Sequence, residues 1–244
     1  MTLLLLAGTG DARRIAGQLA GQDVIASLAG ATRQPEPLPV TTRRGGFGGA
    51  AEFERFLQQN AITAVLDATH PYASGITART MQICRAQGIP FLQYLRPGWT
   101  PEPGDNWTDI RAEQEAAAHI PPGATVFLGT GRQSLAGFAN LQGRDVICRQ
   151  IDPPEGPFPF AGGRFLVGRP PFSVEDEVAL FTELKIDWLI VKNAGGAASR
   201  TKLTAANQLG IPVLMLARPP LGDWPQVSTV AAAVDWALQQ CKSE

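Results

Sequence analysis

Gly8-Thr9-Gly10-Asp11 follows an apolar run, Thr2 to Ala7, and leads into a helical pattern through Ile15, Leu19 and Ala20. Glycines at a strand-to-helix turn let the backbone approach a pyrophosphate, whose charge the free N–H groups of the helix start can meet. Gly8, Thr9, Gly10 and Asp11 are therefore candidate cofactor contacts. The usual dinucleotide fingerprint has a third glycine, and Arg13 stands in its place, so an ordinary tight turn is the competing reading. The second strand ends Ser27-Leu28-Ala29-Gly30-Ala31-Thr32-Arg33. NAD-selective folds put a carboxylate there for the ribose 2′-hydroxyl. This chain has none and carries Arg33 close by, which suits a 2′-phosphate. Ser27, Thr32 and Arg33 join the candidate set, and NADPH is the cofactor expected.

Two further stretches have residue types that do chemistry. Gly45-Gly46-Phe47-Gly48-Gly49 packs four glycines around one ring. Phe47 could rest on a flat ligand there, or the run could be a surface loop or lid. Asp67-Ala68-Thr69-His70-Pro71-Tyr72 stands at the end of an expected strand, where open α/β sheets bind ligands. His70 and Tyr72 are candidate proton donors, although His70 could equally brace the turn before Pro71. Asp67 reads as a residue that satisfies backbone N–H groups.

Strands and helices alternate. Strands are expected at 2–7, 23–28, 62–67 and 89–94, and helices at 51–59 and 73–87, the latter ended by Gly88. The segment 96–104, rich in Pro and Gly, marks a domain boundary, giving an N-terminal domain of 1–97 and a C-terminal domain of 98–244. Beyond it, strands are expected at 125–128, 145–149, 164–167, 188–191 and 213–216, with helices at 132–139, 174–184, 199–209 and 229–240. Val126-Phe127-Leu128-Gly129-Thr130-Gly131-Arg132 echoes the first glycine loop and suggests two similar halves. Such alternation implies parallel sheets in an α/β fold.

The chain has 244 residues, 44% hydrophobic and 18% charged, with a net charge of −1. That balance excludes a nucleic-acid coat or a polybasic membrane binder. Cys84, Cys148 and Cys241 are scattered, without metal-ligand spacing, so no metal is expected. Leu3 to Ala7 is too short for a signal-peptide core, and nothing approaches a membrane span of about 20 apolar residues. A cytoplasmic location is expected.

Taken together, Gly8-Thr9-Gly10-Asp11-Ala12, Ser27-Leu28-Ala29-Gly30, the Gly45–Gly49 run and Asp67-Ala68-Thr69-His70-Pro71-Tyr72-Ala73 resemble the precorrin-6A reductase family of cobalamin biosynthesis. Lys192-Asn193-Ala194-Gly195-Gly196, followed by Arg200-Thr201-Lys202-Leu203, is similar to that family's C-terminal motif. Ala31 stands where an arginine is common, and Asp11 where a glutamate is. The resemblance implies two Rossmann-like or flavodoxin-like domains with an active site between them. It also implies reduction of one carbon–carbon double bond of precorrin-6A by NADPH to give precorrin-6B.

Such a substrate is a polycarboxylate tetrapyrrole, so basic groups must meet it. Arg132, Arg200 and Lys202 are the binding candidates, with Arg96, Arg164 and Arg169 behind them. Lys192, directly after the apolar run Trp188–Val191, joins Tyr72 and His70 as a candidate catalytic residue. Weak association with neighbouring enzymes of the pathway is expected. The alternatives are the cobalt-precorrin-6A reduction that uses NADH, another glycine-loop enzyme such as a methyl-transferring or nucleotide-sugar enzyme, and a non-catalytic NADP sensor.

Overall fold

In the computed structural model, which describes residues 1–30, 33 and 36–242, the apolar runs become the inner strands of two parallel sheets. The chain divides into two units, Met1–Pro97 with Pro219–Glu244, and Gly98–Arg218. The first unit holds β1 (Thr2–Leu6), β2 (Val24–Leu28), β3 (Thr41–Arg44), β4 (Ile62–Asp67) and β5 (Phe91–Tyr94). Its helices are α1 (Gly10–Gln18), α2 (Ala50–Gln59) and α3 (Ser74–Gln87). The second holds β6 (Trp107–Ile110), α4 (Ala116–His119), β7 (Thr125–Leu128), β8 (Asp145–Gln150), β9 (Gly163–Val167), α5 (Val174–Glu183), β10 (Trp188–Lys192), α6 (Thr201–Leu209) and β11 (Val213–Leu216). The chain then returns to the first unit with β12 (Gln226–Val227) and α7 (Val230–Lys242).

That return corrects the expected second domain of 98–244. β12 pairs in parallel with β5, and Ala233, Val234 and Ala237 of α7 bury into the same core as Leu3, Leu5 and Ile15. An amphipathic helix goes where its apolar stripe is covered, whatever its distance along the chain.

The first sheet runs β12-β5-β4-β1-β2-β3. Read from the other edge, this is the dinucleotide-binding order 3-2-1-4-5-6, whose switch point lies between β1 and β4. The second runs β6-β11-β10-β7-β8-β9, so β7, β8, β9, β10 and β11 repeat the winding of β1 to β5. The echo between the two Gly-Thr-Gly segments is therefore a topological repeat. The units differ in the origin of the strand beside β5 or β11. The first takes β12 from the end of the chain, and the second takes β6 from the segment that enters it.

The four leucines of β1 are apolar on both faces because both faces are covered. Leu3 and Leu5 face α1 and α7, while Leu4 and Leu6 face Phe53 and Leu57 of α2 and Ile83 and Cys84 of α3. Gly88, left-handed at φ +67°, ends α3. The segment Arg132–Leu141, expected as an α-helix over 132–139, is a 3-10 helix. A side chain at Gly137 would stand 2.8 Å from Cβ of Glu113, so this segment lies hard against the Glu113–Glu115 turn. Among the described residues no helix is long and apolar enough to cross a membrane, and no group of three or more His, Cys, Asp or Glu side chains could hold a metal ion.

Candidate functional site

In the first unit, β1 and β4 deliver their following loops side by side to the switch point. Thr9 ties the two loops together. Its hydroxyl donates to the Ala68 carbonyl at 3.0 Å and accepts the Ala12 N–H at 3.0 Å, capping α1. Gly8 takes φ +130°, which a side chain rarely tolerates. A Cβ placed on Gly8 or Gly10 would meet nothing within 4 Å, so the outer face of the loop is open. Among the described residues no hydrogen bond satisfies the N–H groups of Gly10 and Asp11. Open backbone, unsatisfied N–H groups and the positive end of a nine-residue helix form a cradle that fits a pyrophosphate.

Asp11 takes part in that cradle indirectly. Its carboxylate is bound by Arg14 and, at 2.8 Å, by Arg96, which follows β5. Burial alone would push Asp11 up, but hydrogen bonds from Arg14, Arg96 and Tyr94 hold it below the usual carboxylate range. Tyr94, at the end of β5, is pushed up to about 12 by burial and by Asp11. The side chain fixes the start of α1 to the end of β5.

At the end of β2, Ser27 is buried and accepts from Arg43 at 2.8 Å. Arg43 is the register partner of Ser27 on β3. It also donates to the carbonyls of Gly45 and Gly46 and lies over the rings of Phe47 and Phe56. Phe47 meets Phe53 and Phe56 at centroid distances of 4.6 and 5.2 Å, so its ring closes the margin of the first core. Arg33 is exposed on the loop after β2, and Thr32 lies outside the described residues. Arg43 was absent from the sequence-derived set. Its signal is the Arg43-Arg44 pair before Gly45, legible only once β3 is recognised as a strand.

The loop after β4 is a built turn. Buried Asp67 accepts from the Thr69 N–H at 2.9 Å and from the Thr77 hydroxyl at 2.5 Å, and burial raises its carboxyl. The Tyr72 N–H donates to Nδ1 of His70 at 3.3 Å, and the His70 carbonyl accepts from Ala73. The two rings lie 5.6 Å apart and half-buried. His70 thus braces the turn after β4, which Thr9 ties to the glycine loop through Ala68.

In the second unit, the corresponding edge gathers positive charge. Lys192 ends β10, half-buried, and burial pushes its ammonium down while Glu113 pulls it back up. Lys202 runs its stem along Gly129, donates to the Ser199 carbonyl at 2.7 Å and is pushed down to about 8, chiefly by burial. Arg200 is engaged with Glu102 at 2.9 Å and Asp105 at 3.5 Å and lies over the Trp107 ring, fastening the segment before β6 to α6. Asn193 grips the backbone of Trp99, accepting its N–H at 2.7 Å and donating to its carbonyl at 3.1 Å. Arg218 donates to the carbonyls of Asn193 and Ala194. Arg164 pairs with Asp145, and Arg169 with Asp152. Arg132 follows Gly131 and lines a cavity.

Residues 2–238 match the model of the precorrin-6x reductase CbiJ/CobK family. The chain belongs to that family. A precorrin-6A reductase of Rhodococcus erythropolis is 42% identical over 96% of both chains, and one of Rhodobacter capsulatus is 37% identical over 96% of this chain and 94% of that one. A cobalt-precorrin-6A reductase of Synechocystis is 28% identical, covering 89% of this chain. A solved CobK precorrin-6A reductase superposes with a TM-score of 0.93, at 36% identity, over 98% of this chain and 97% of that one. The two parallel six-stranded sheets are thus the CbiJ/CobK architecture.

Proposed function

We propose that this chain reduces one carbon–carbon double bond of precorrin-6A, giving precorrin-6B, with NADPH as the reductant. The observation that carries the reading is the Gly8-Thr9-Gly10 cradle at the switch point of a sheet in dinucleotide-binding order. The relatives named precorrin-6A reductase, at 42% and 37% identity over nearly the whole chain, support the reaction. A nicotinamide held there supplies the hydride.

The first unit's residues hold and select. Gly8, Thr9 and Gly10 receive the pyrophosphate, and Thr9 fixes the loop by bonding to Ala68. Ser27 at the tip of β2 is paired with an arginine rather than replaced by a carboxylate, which favours a 2′-phosphate over a bare ribose. Arg33 is an exposed cation on the loop that follows β2. Asp11 acts as a positioning residue through Arg96. The second unit's residues meet the substrate's carboxylates, with Lys192 at the end of β10 and Lys202 of α6 laid along Gly129, after β7. The carbon that does not receive hydride needs a proton, and Lys192, Tyr72 and His70 are the ionisable groups at the sheet edges that can hold one.

The test is incubation of the purified protein with precorrin-6A and each nicotinamide cofactor in turn. Loss of NADPH absorbance, with a product heavier by one hydride and one proton, is the expected result. Cofactor binding without turnover makes the chain a sensor. Turnover of the cobalt form alone, with NADH, makes it the cobalt-pathway enzyme.

A further inference from the structure

The second unit contains a cavity of about 270 Å³ between the start of the Arg132 segment, the tip of β8 and the loop that leads into β9. Arg132 enters it from one side, and among the described residues no ion pair or hydrogen bond engages that guanidinium. Gln150, the last residue of β8, lines the opposite side. It is 7% exposed, and its Nε2 is buried with no hydrogen-bond partner. Leu135, Pro157 and Phe165 supply an apolar wall. Glu155 stands exposed on the rim.

A buried amide donor left without an acceptor costs free energy until a ligand supplies one. A guanidinium and an unpartnered amide on residues that line one space are donors of the kind a carboxylate accepts. The charge of a single carboxylate balances that of one arginine. A phosphate dianion would carry one negative charge more than Arg132 balances. The apolar wall suits methylene groups and a ring edge, and the volume exceeds what a free ion needs.

We propose that this cavity is a carboxylate subsite that seats one carboxyalkyl arm of the tetrapyrrole, with Arg132 and Gln150 as the donors. The assignment of the arm rests on the reductase reading above, whereas the preference for carboxylate rests on the cavity alone. No catalytic role is assigned to either residue.

The experiment has two readouts on the full chain. The side-chain amide signals of Gln150 in a ¹⁵N-labelled sample are identified by their loss in Gln150→Leu, then followed during titration with sodium propionate or inorganic phosphate at constant ionic strength. Propionate should shift them saturably, and Arg132→Gln should weaken that binding about tenfold, or about 1.4 kcal/mol. With precorrin-6A, Arg132→Gln and Gln150→Leu should each raise KM about tenfold and leave kcat within about twofold, as expected for uniform binding. The spectrum of each variant also reports whether it is folded, and Arg132→Gln removes only a surface-facing end.

No saturable shift with propionate, or tighter binding of phosphate, overturns the carboxylate subsite. A propionate response combined with unchanged KM in both variants overturns the macrocycle arm as its occupant. If the unaltered protein turns over no precorrin-6A, the reductase reading and the arm fall together, and the propionate titration alone decides what the cavity accepts.

Discussion

Arg96 reaches back across 85 residues to hold Asp11 at 2.8 Å, and both side chains are nearly buried. The pair locks the first turn of α1 to the end of β5, so the glycine loop is positioned from outside its own sequence. Asp11 is held below the ordinary carboxylate range, so it favours folding at pH values above its unfolded pKa of about 3.9. That contribution is lost as pH falls through the lowered value. Asp11→Asn should therefore cost about 1–2 kcal/mol at neutral pH, the size of a charge-assisted contact. The difference from the unaltered protein should close in strongly acidic solution. Urea unfolding at both pH values measures it, and a gap independent of pH would remove the ion pair from the account.

Gly10 offers a cleaner probe of the cradle than Gly8. Gly8 needs its positive φ, so a side chain there strains the backbone whether or not a ligand binds. Gly10 lacks that constraint, and a Cβ on it meets no protein atom within 4 Å. Gly10→Val should keep its melting temperature and lose NADPH affinity by tenfold or more, about 1.4 kcal/mol. Normal binding by the folded variant would place the cofactor elsewhere.

The inner strands were legible because burial on both faces leaves an unbroken apolar run, as in Leu3–Leu6 and Leu189–Val191. Of the edge strands, β9 showed in the sequence at 164–167, whereas β3, β6 and β12 carry no such mark. β3 is Thr41-Thr42-Arg43-Arg44 and largely exposed, so it hid inside a stretch rich in proline and glycine. β6 and β12, at the edges of their sheets, were unread for the same reason. The partner of Ser27 was invisible with them, because Arg43 reaches Ser27 only through the β2–β3 register. The glycine loop and the turn after Asp67 were legible as motifs. Their joining through Thr9 and Ala68 required the parallel pairing of β1 with β4. Phe47 read as a free ring because its neighbours Phe53 and Phe56 only show their use when α2 folds back over it.

Cofactor choice depends on the loop after β2. With Ser27 occupied by Arg43, Arg33 on the loop after β2 is an exposed cation, as is Arg44 opposite Leu28 on β3. NADPH should bind more tightly than NADH, and Arg33→Ala should narrow the preference by about 1–2 kcal/mol. Titration of both cofactors against both proteins gives the number. Equal affinities of the unaltered protein would end the NADPH assignment.

Lys202 should cost stability in the absence of an anion. Its folded-state pKa of about 8 lies below the ordinary lysine value, so the folded state binds fewer protons than the unfolded one between them. Stability should rise with pH across that interval. Lys202→Met should accordingly be more stable than the unaltered protein at pH 7, by about 1–2 kcal/mol. The gain should shrink as pH climbs through 8 toward the unfolded value. A gain that is constant with pH would mean the methionine merely packs better.

Lys192 occupies, in the second unit, the strand end that Asp67 occupies in the first, since β10 repeats the place of β4. The two residues have opposite fates. Asp67 is fully buried and spends its oxygens on Thr69 and Thr77, whereas Lys192 stays half-buried with Glu113 as a counter-charge. A lysine partly out of water at a ligand-binding edge is stabilised by an anion arriving there. Lys192→Ala should raise KM for precorrin-6A if the residue only binds a carboxylate, and should lower kcat if it also delivers the proton. NADPH affinity should stay the same, because the residues proposed to hold the cofactor belong to the first unit. The lowered ammonium adds a pH signature. The contribution of Lys192 to kcat/KM should be present at neutral pH and fade as pH rises through its lowered pKa, and the Ala variant should lose that limb of the profile. Unaltered kinetics and an unaltered profile would reduce Lys192 to a surface charge and leave Lys202 as the cation facing the substrate.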